Sequence, residues 1–147
     1  MHVPVGGQAR AVTLPTFMVI GAGRSGTTSL DRYLRQHPQI FMSTHKSPSY
    51  FFCKDLERMD DPSLRLVTAN YFVGDRPSYE RLFAGARPGQ AVGEVSPVYL
   101  ASTGTAQAIA DTLPDARLVA ILRNPVDRAQ ARFVARTRDG LEHRSLP

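Results

Sequence analysis

The chain has 147 residues, which suits one domain whose folding removes roughly 70% of the unfolded surface from water. Its 42% hydrophobic and 21% charged content is that of an ordinary globular protein, and no apolar run approaches the roughly 20 residues a bilayer-spanning helix needs, which excludes a membrane span. Eighteen Lys and Arg against 13 Asp and Glu leave a net charge of +5, so anionic partners are favoured, but the basic residues are scattered without interleaved aromatics, which argues against nucleic acid and for a small phosphorylated ligand.

Residues 1–15 contain no continuous apolar segment of the secretory type and read as a loose leader, with the folded domain over 16–147. Cys53 is the single cysteine, which excludes an internal disulfide and a multi-cysteine zinc site and fits a reducing cytoplasm.

In chain order, the apolar run 16–22 (TFMVIGA), ended by glycines, predicts a buried parallel strand entering a tight turn. A helix follows from Thr27, with Leu30, Tyr33 and Leu34 on its apolar face and Pro38 as its stop. Ile40–Met42 reads as a second strand and 44–60 as irregular, while 62–73 and 78–84 read as helices, the latter with Ser78 as N-cap. A turn at Arg87-Pro-Gly89 leads to a third strand over 91–95, a helix over 104–113 closed by Pro114, an apolar fourth strand over 117–122 and a helix over 126–138. Strands alternating with helices predict an α/β fold with a parallel sheet flanked by helices.

The stretch FMVIGAGRSGTTSL (17–30) fits two glycine-loop patterns incompletely. Gly21, Gly23 and Gly26 form G-x-G-x-x-G, but the stretch 40–46 carries no acidic residue to take ribose hydroxyls. Gly21 and Gly26 also frame a Walker-like loop, yet Thr27 stands at the lysine position and the strand at 117–122 is followed by Arg123 where an NTPase places Asp. In both patterns a strand ends, glycines turn the backbone sharply and helix N–H groups face an anion. With Arg24 in the loop and Thr27 and Thr28 at the helix start, the site suits an anion held by hydrogen bonds and a guanidinium, with no metal.

GAGRSGTTSL resembles the 5′-phosphosulfate loop of sulfotransferases that use 3′-phosphoadenosine 5′-phosphosulfate, in their bacterial and heparan-sulfate-type branch. LVAILRNPVDRA (118–129) resembles their 3′-phosphate segment, GEVSPVYL (93–100) their G-E-x-S-P-x-Y-L and KSPSYFF (46–52) their K-E-P-x-F-F. The resemblance implies a P-loop-like sulfotransferase fold and transfer of a sulfuryl group to a hydroxyl or amine. It implies that Arg24 contacts the 5′-phosphate and leaving oxygen, that Ser25, Gly26, Thr27 and Thr28 donate hydrogen bonds, and that Arg123 forks onto the 3′-phosphate. Arg123 also reads as a surface residue paired with Asp127, and Arg128, Arg132 and Arg136 as a solvated stripe facing away from Val126, Ala129 and Phe133.

Two positions depart from the pattern. Ala131 stands where the family has a serine, and Ser47 where the heparan-sulfate branch has the glutamate that accepts the acceptor's proton. His45, adjacent to it, reads either as a group able to accept that proton or as a bystander in the loop, Lys46 as a contact to sulfonate or acceptor or as a solvated loop lysine, and Glu94 either positions acceptor or fixes nearby loops. Family chains continue beyond this point, so the chain reads as an N-terminal portion. The acceptor, carbohydrate or a smaller molecule, is left open. The rival readings are a truncated nucleotide-binding module without catalysis and a P-loop nucleotide kinase or NTPase.

Overall fold

In the computed structural model the described residues are 13–45, 51–53 and 73–145. Strand β1 (Phe17–Gly21) leads through the glycine loop to helix α1 (Thr27–Leu34) and strand β2 (Ile40–Met42). Helix α2 (Arg76–Arg81) and strand β3 (Ala91–Val95) follow, then a 3₁₀ turn at Tyr99–Ala101, helix α3 (Thr105–Thr112), strand β4 (Arg117–Ala120) and helix α4 (Pro125–Arg138).

The four strands form one sheet in the order β2-β3-β1-β4, and every neighbouring pair is parallel. All strand ends therefore meet at one carboxyl edge, with β1 and its loop between β3 and β4. Alternation along the strands splits the core. Met18 and Val92 point into a cluster with Phe52, Tyr79, Phe83, Tyr99 and Ile109 under α2 and α3, whereas Val19, Met42 and Val95 meet Leu30 and Leu34 of α1 on the other face.

Several expectations shift by a residue or a turn. On α1 the inward positions are Thr27 and Asp31, with Leu30 and Leu34 beside them, and Tyr33 is 70% exposed. Helix α2 is capped by Asp75, not Ser78: its carboxylate accepts from Ser78 N at 2.8 Å and Ser78 Oγ at 2.7 Å, and Pro77 occupies the first turn, where no N–H is needed. Those two hydrogen bonds lower the Asp75 pKa, the Ser78 side-chain bond most. The helix read over 62–73 lies outside the described residues except for Val73.

The fourth strand departs most. It stops at Ala120, and all four of its residues are exposed because, among the described residues, it is the sheet edge and pairs only with β1. Its apolar Leu118 and Val119, with Leu122 just beyond, are 50%, 39% and 73% exposed.

Close packing between β1 and β3 depends on Gly93, which pairs with Phe17. A Cβ at that position would run into the Phe17 ring. Gly93→Ala is expected to destabilise the fold by about 1–3 kcal/mol, read as a lower urea midpoint with unchanged slope; an unchanged midpoint would show that the ring has room to turn aside.

Candidate functional site

The loop from Gly21 to Thr27 is shaped by two residues of left-handed backbone. Arg24 has φ 66° and Gly26, the N-cap of α1, has φ 98°. Glycine adopts that conformation freely, while an arginine held there carries about 1 kcal/mol or more of strain, the kind of strain that clusters at ligand sites. The kinked path aims the first N–H groups of α1 out of the helix end, where the dipole favours an anion. Ser25 places its Oγ in a buried position with no hydrogen-bond partner. Thr27 is 4% exposed at the helix start and has neither the reach nor the charge of a Walker lysine.

At the next carboxyl end, β4 stops and Asn124 opens α4 by accepting from Val126 N at 2.9 Å, with Pro125 at the first helical position. Arg123 stands immediately before that cap. Its Nη1 donates to the Arg24 carbonyl at 3.5 Å, joining two loops 99 residues apart in sequence. It does so instead of pairing with Asp127: among the described residues no ion pair joins the two.

Arg24 and Arg123 share a cavity of about 380 Å³ with Asp127, Gln130, Ala131 and Arg138, a size within the range of small-ligand sites. Gln130 and Arg138 were not nominated from the sequence. The signal was available in the 127, 131, 134/135, 138 spacing, which lines one side of α4, but it was read with the wrong face inward. Ala135 is the buried residue of α4, Val126 is 73% exposed, and the arginine stripe divides, since Arg136 donates from Nη2 to the Leu141 carbonyl at 3.1 Å while Arg128 and Arg132 are exposed. Arg138 binds Asp139 through Nε and Nη2, each at 2.9 Å.

His45 lies exposed beyond the end of β2, at the opposite side of the sheet from β4. It shares the carboxyl edge with the glycine loop but does not line the Arg24 and Arg123 cavity; two strand spacings of about 4.8 Å each separate β2 from β1. The turn carrying it is tied to α1: Asp31, 4% exposed, accepts from Arg35 Nε at 3.0 Å, and Arg35 Nη2 donates to the Ser43 carbonyl at 2.8 Å. Ser43 Oγ in turn donates to the His45 carbonyl. Lys46 and Ser47 lie outside the described residues.

Glu94 does not face an acceptor cleft. It is fully buried on β3, and burial pushes its carboxyl up to about 8, partly offset by the Tyr79 and Tyr99 hydroxyls. Neither hydroxyl reaches full hydrogen-bond geometry, so both carboxyl oxygens lack partners. Burial, reinforced by Glu94, raises both tyrosine pKa values. Phe51 stacks on Tyr79 at 4.3 Å, and Phe52 and Tyr99 are core residues.

A parallel α/β sheet brings the ends of its first and fourth strands to one cavity lined by Arg24, Arg123 and Arg138, at the carboxyl edge where open α/β folds bind their ligands. The chain matches the Sulfotransferase family over residues 15–146, and it belongs to that family. It is 42% identical to a crystallised sulfotransferase from Alicyclobacillus acidocaldarius, with a TM-score of 0.80 over 91% of this chain and 54% of that one. It is 31% identical over 134 residues to the membrane-associated sulfotransferase kil1 of Dictyostelium discoideum, covering 89% of this chain and 24% of that protein. It is also 29% identical over 120 residues to the human bifunctional heparan sulfate N-deacetylase/N-sulfotransferase 2, covering 79% of this chain and 12% of the enzyme. The chain thus spans about a quarter or less of these two relatives and about half of the bacterial one. Among the described residues no helix is long and apolar enough to cross a membrane.

Proposed function

We propose that residues 16–147 form the donor-binding domain of a sulfotransferase that takes its sulfuryl group from 3′-phosphoadenosine 5′-phosphosulfate. The observation that carries this reading is the Arg123 Nη1 contact to the Arg24 carbonyl, which sets a guanidinium from each of two loops around one cavity. The buried, partnerless Ser25 Oγ and the outward N–H groups of α1 fit the 5′-phosphate end of such a donor. Arg123 suits its 3′-phosphate, because a guanidinium grips phosphate through two parallel N–H bonds.

When bound, the donor supplies an activated sulfuryl group. Arg24 then meets the negative charge that gathers on the leaving phosphate oxygen, and Ser25, Gly26, Thr27 and Thr28 hold that phosphate with donors fixed in advance, the arrangement that usually contributes most to such rates. His45 is assigned to take the acceptor's proton and Lys46 to contact the acceptor or the sulfonate. The acceptor class that fits these relatives is a hydroxyl or amine of a carbohydrate or small molecule. The single cysteine, Cys53, is buried, and such sparing cysteine use fits a cytoplasmic setting.

Saturable binding of adenosine 3′,5′-bisphosphate by calorimetry, together with transfer of labelled sulfate to simple acceptors, tests the proposal; absence of binding by folded protein would overturn it. A second reading, donor binding without transfer, is favoured by Ala131, which lines the cavity without the family's hydroxyl. Ala131→Ser is expected to tighten bisphosphate binding by roughly 10-fold or more, the effect of one hydrogen bond to a charged group. No change in affinity would place the 3′-phosphate elsewhere in the cavity.

A further inference from the structure

Five side-chain oxygens are buried together without partners: both carboxyl oxygens of Glu94 and the hydroxyls of Tyr79, Tyr99 and Ser96. Buried polar groups in native proteins are almost always satisfied, so such a cluster calls for a reason. Its members converge from two elements. Glu94, Ser96 and Tyr99 belong to one stretch that leaves β3 and turns into the 3₁₀ segment, and Tyr79 faces them from α2.

That stretch is tied to the glycine loop. Ser96 N donates to the Val19 carbonyl of β1 at 2.9 Å, and Tyr99 N donates back to the Ser96 carbonyl at 3.0 Å. The outer side of the turn rests against Gly21, where a Cβ would lie 2.8 Å from Leu100 Cβ and 3.1 Å from the Pro97 carbonyl. The first glycine of the phosphate loop therefore sits on the turn whose inner side closes over Glu94.

Among the described residues, a carboxylate in that chamber has no cation to meet it: the titratable groups acting on Glu94 there are Tyr79 from α2 and Tyr99 from the turn. The same core cluster adds apolar Met18 from β1, Ile109 and Leu113 from α3, and the Cys53 thiol, already engaged with Thr105 Oγ1 at 3.0 Å. A neutral acid is tolerated there, whereas a bare charge is not. An outward shift of the Ser96–Ala101 turn would admit water to such a charge, and Gly21 rests on that turn.

We propose that Glu94, as a neutral acid, is a positioning residue for the phosphate loop, holding the Ser96–Ala101 turn against Gly21, and that its ionisation loosens the loop. The consequence for donor binding rests on the donor-site reading above; the effect on the loop itself does not.

The test follows the Cα carbon resonances of Gly21, Gly23 and Gly26 by NMR from about pH 6.5 to 9.5, alongside calorimetric titration with adenosine 3′,5′-bisphosphate, in the parent and Glu94→Gln. The parent's loop resonances are expected to titrate with a midpoint near 8, and its affinity to fall by about tenfold between neutral and alkaline pH. In Glu94→Gln both stay flat, with near-parental affinity at neutral pH. Tyr99→Phe removes a hydroxyl that helps the charged form, so it raises the midpoint, and it carries the test should Glu94→Gln fail to fold. Loop resonances that do not titrate, that titrate equally in Glu94→Gln, or that keep their midpoint in Tyr99→Phe would overturn the proposal. Titrating resonances without nucleotide binding at any pH would support the positioning role and overturn the donor-site reading instead.

Discussion

Arg24→Ala and Arg123→Ala are each expected to weaken adenosine 3′,5′-bisphosphate binding by about 30- to 100-fold. Each removes a charge-assisted contact to phosphate of roughly 2–3 kcal/mol. Both side chains are exposed and pack against little, so the urea midpoint should stay within about 0.5 kcal/mol of the parent. The two losses should not add. Arg123 Nη1 also holds the Arg24 carbonyl, so truncating Arg123 relaxes the loop that carries the other guanidinium. Arg123→Lys separates charge from geometry: it keeps the charge, loses the planar fork, and should fall between parent and alanine. Calorimetry at two salt concentrations checks all of these. Parental affinity in both alanine variants would remove the donor site from this cavity.

The second large effect is on stability against pH. Glu94 is held neutral in the folded chain up to about 8, whereas the unfolded chain releases its proton near 4.5. Between those values the folded state binds the extra proton, so the contribution of Glu94 to stability is complete below the lower value and is lost as pH rises through the upper one. Stability should decline by about 1.4 kcal/mol per pH unit across that window relative to Glu94→Gln, reaching of the order of 5 kcal/mol. Urea unfolding of parent and Glu94→Gln from about pH 5 to 9 reads this directly. Parallel curves for the two proteins would show that the chamber already solvates the charge. Glu142 works in the opposite sense: hydrogen bonds from Arg144 and its charge lower it, but the Arg144 side chain stands at the surface, where such pairs contribute little.

The two strand-to-helix corners were legible because they are written in local chemistry. Glycines after an apolar run permit one kind of turn, and an Asn-Pro pair after another opens a helix; neither needs knowledge of distant residues. The succession of strands and helices along the chain, the parallel sheet and the nomination of Arg24 and Arg123 all came from such local signals and from the four family motifs. What escaped depended on partners far along the chain. Tyr33 and Val126 are apolar at helical spacing yet lie exposed, because the face a helix buries is set by the neighbour it meets and not by its own periodicity.

The same reason explains the fourth strand, whose apolar residues promised burial but stand at the sheet edge. It also explains Glu94, whose sequence context left open whether it positions acceptor or fixes nearby loops, and whose burial is decided by the elements packed over β3. Sequence alone determined where the glycine loop and the Asn-Pro corner fall along the chain, and it nominated Arg24 and Arg123 within them. Tertiary structure decided that two corners 99 residues apart share one cavity, that Gln130 and Arg138 join them, and that a carboxyl is sealed beneath the loop. Each of those depends on which strands become neighbours, a long-range choice made by the packing of both sheet faces at once.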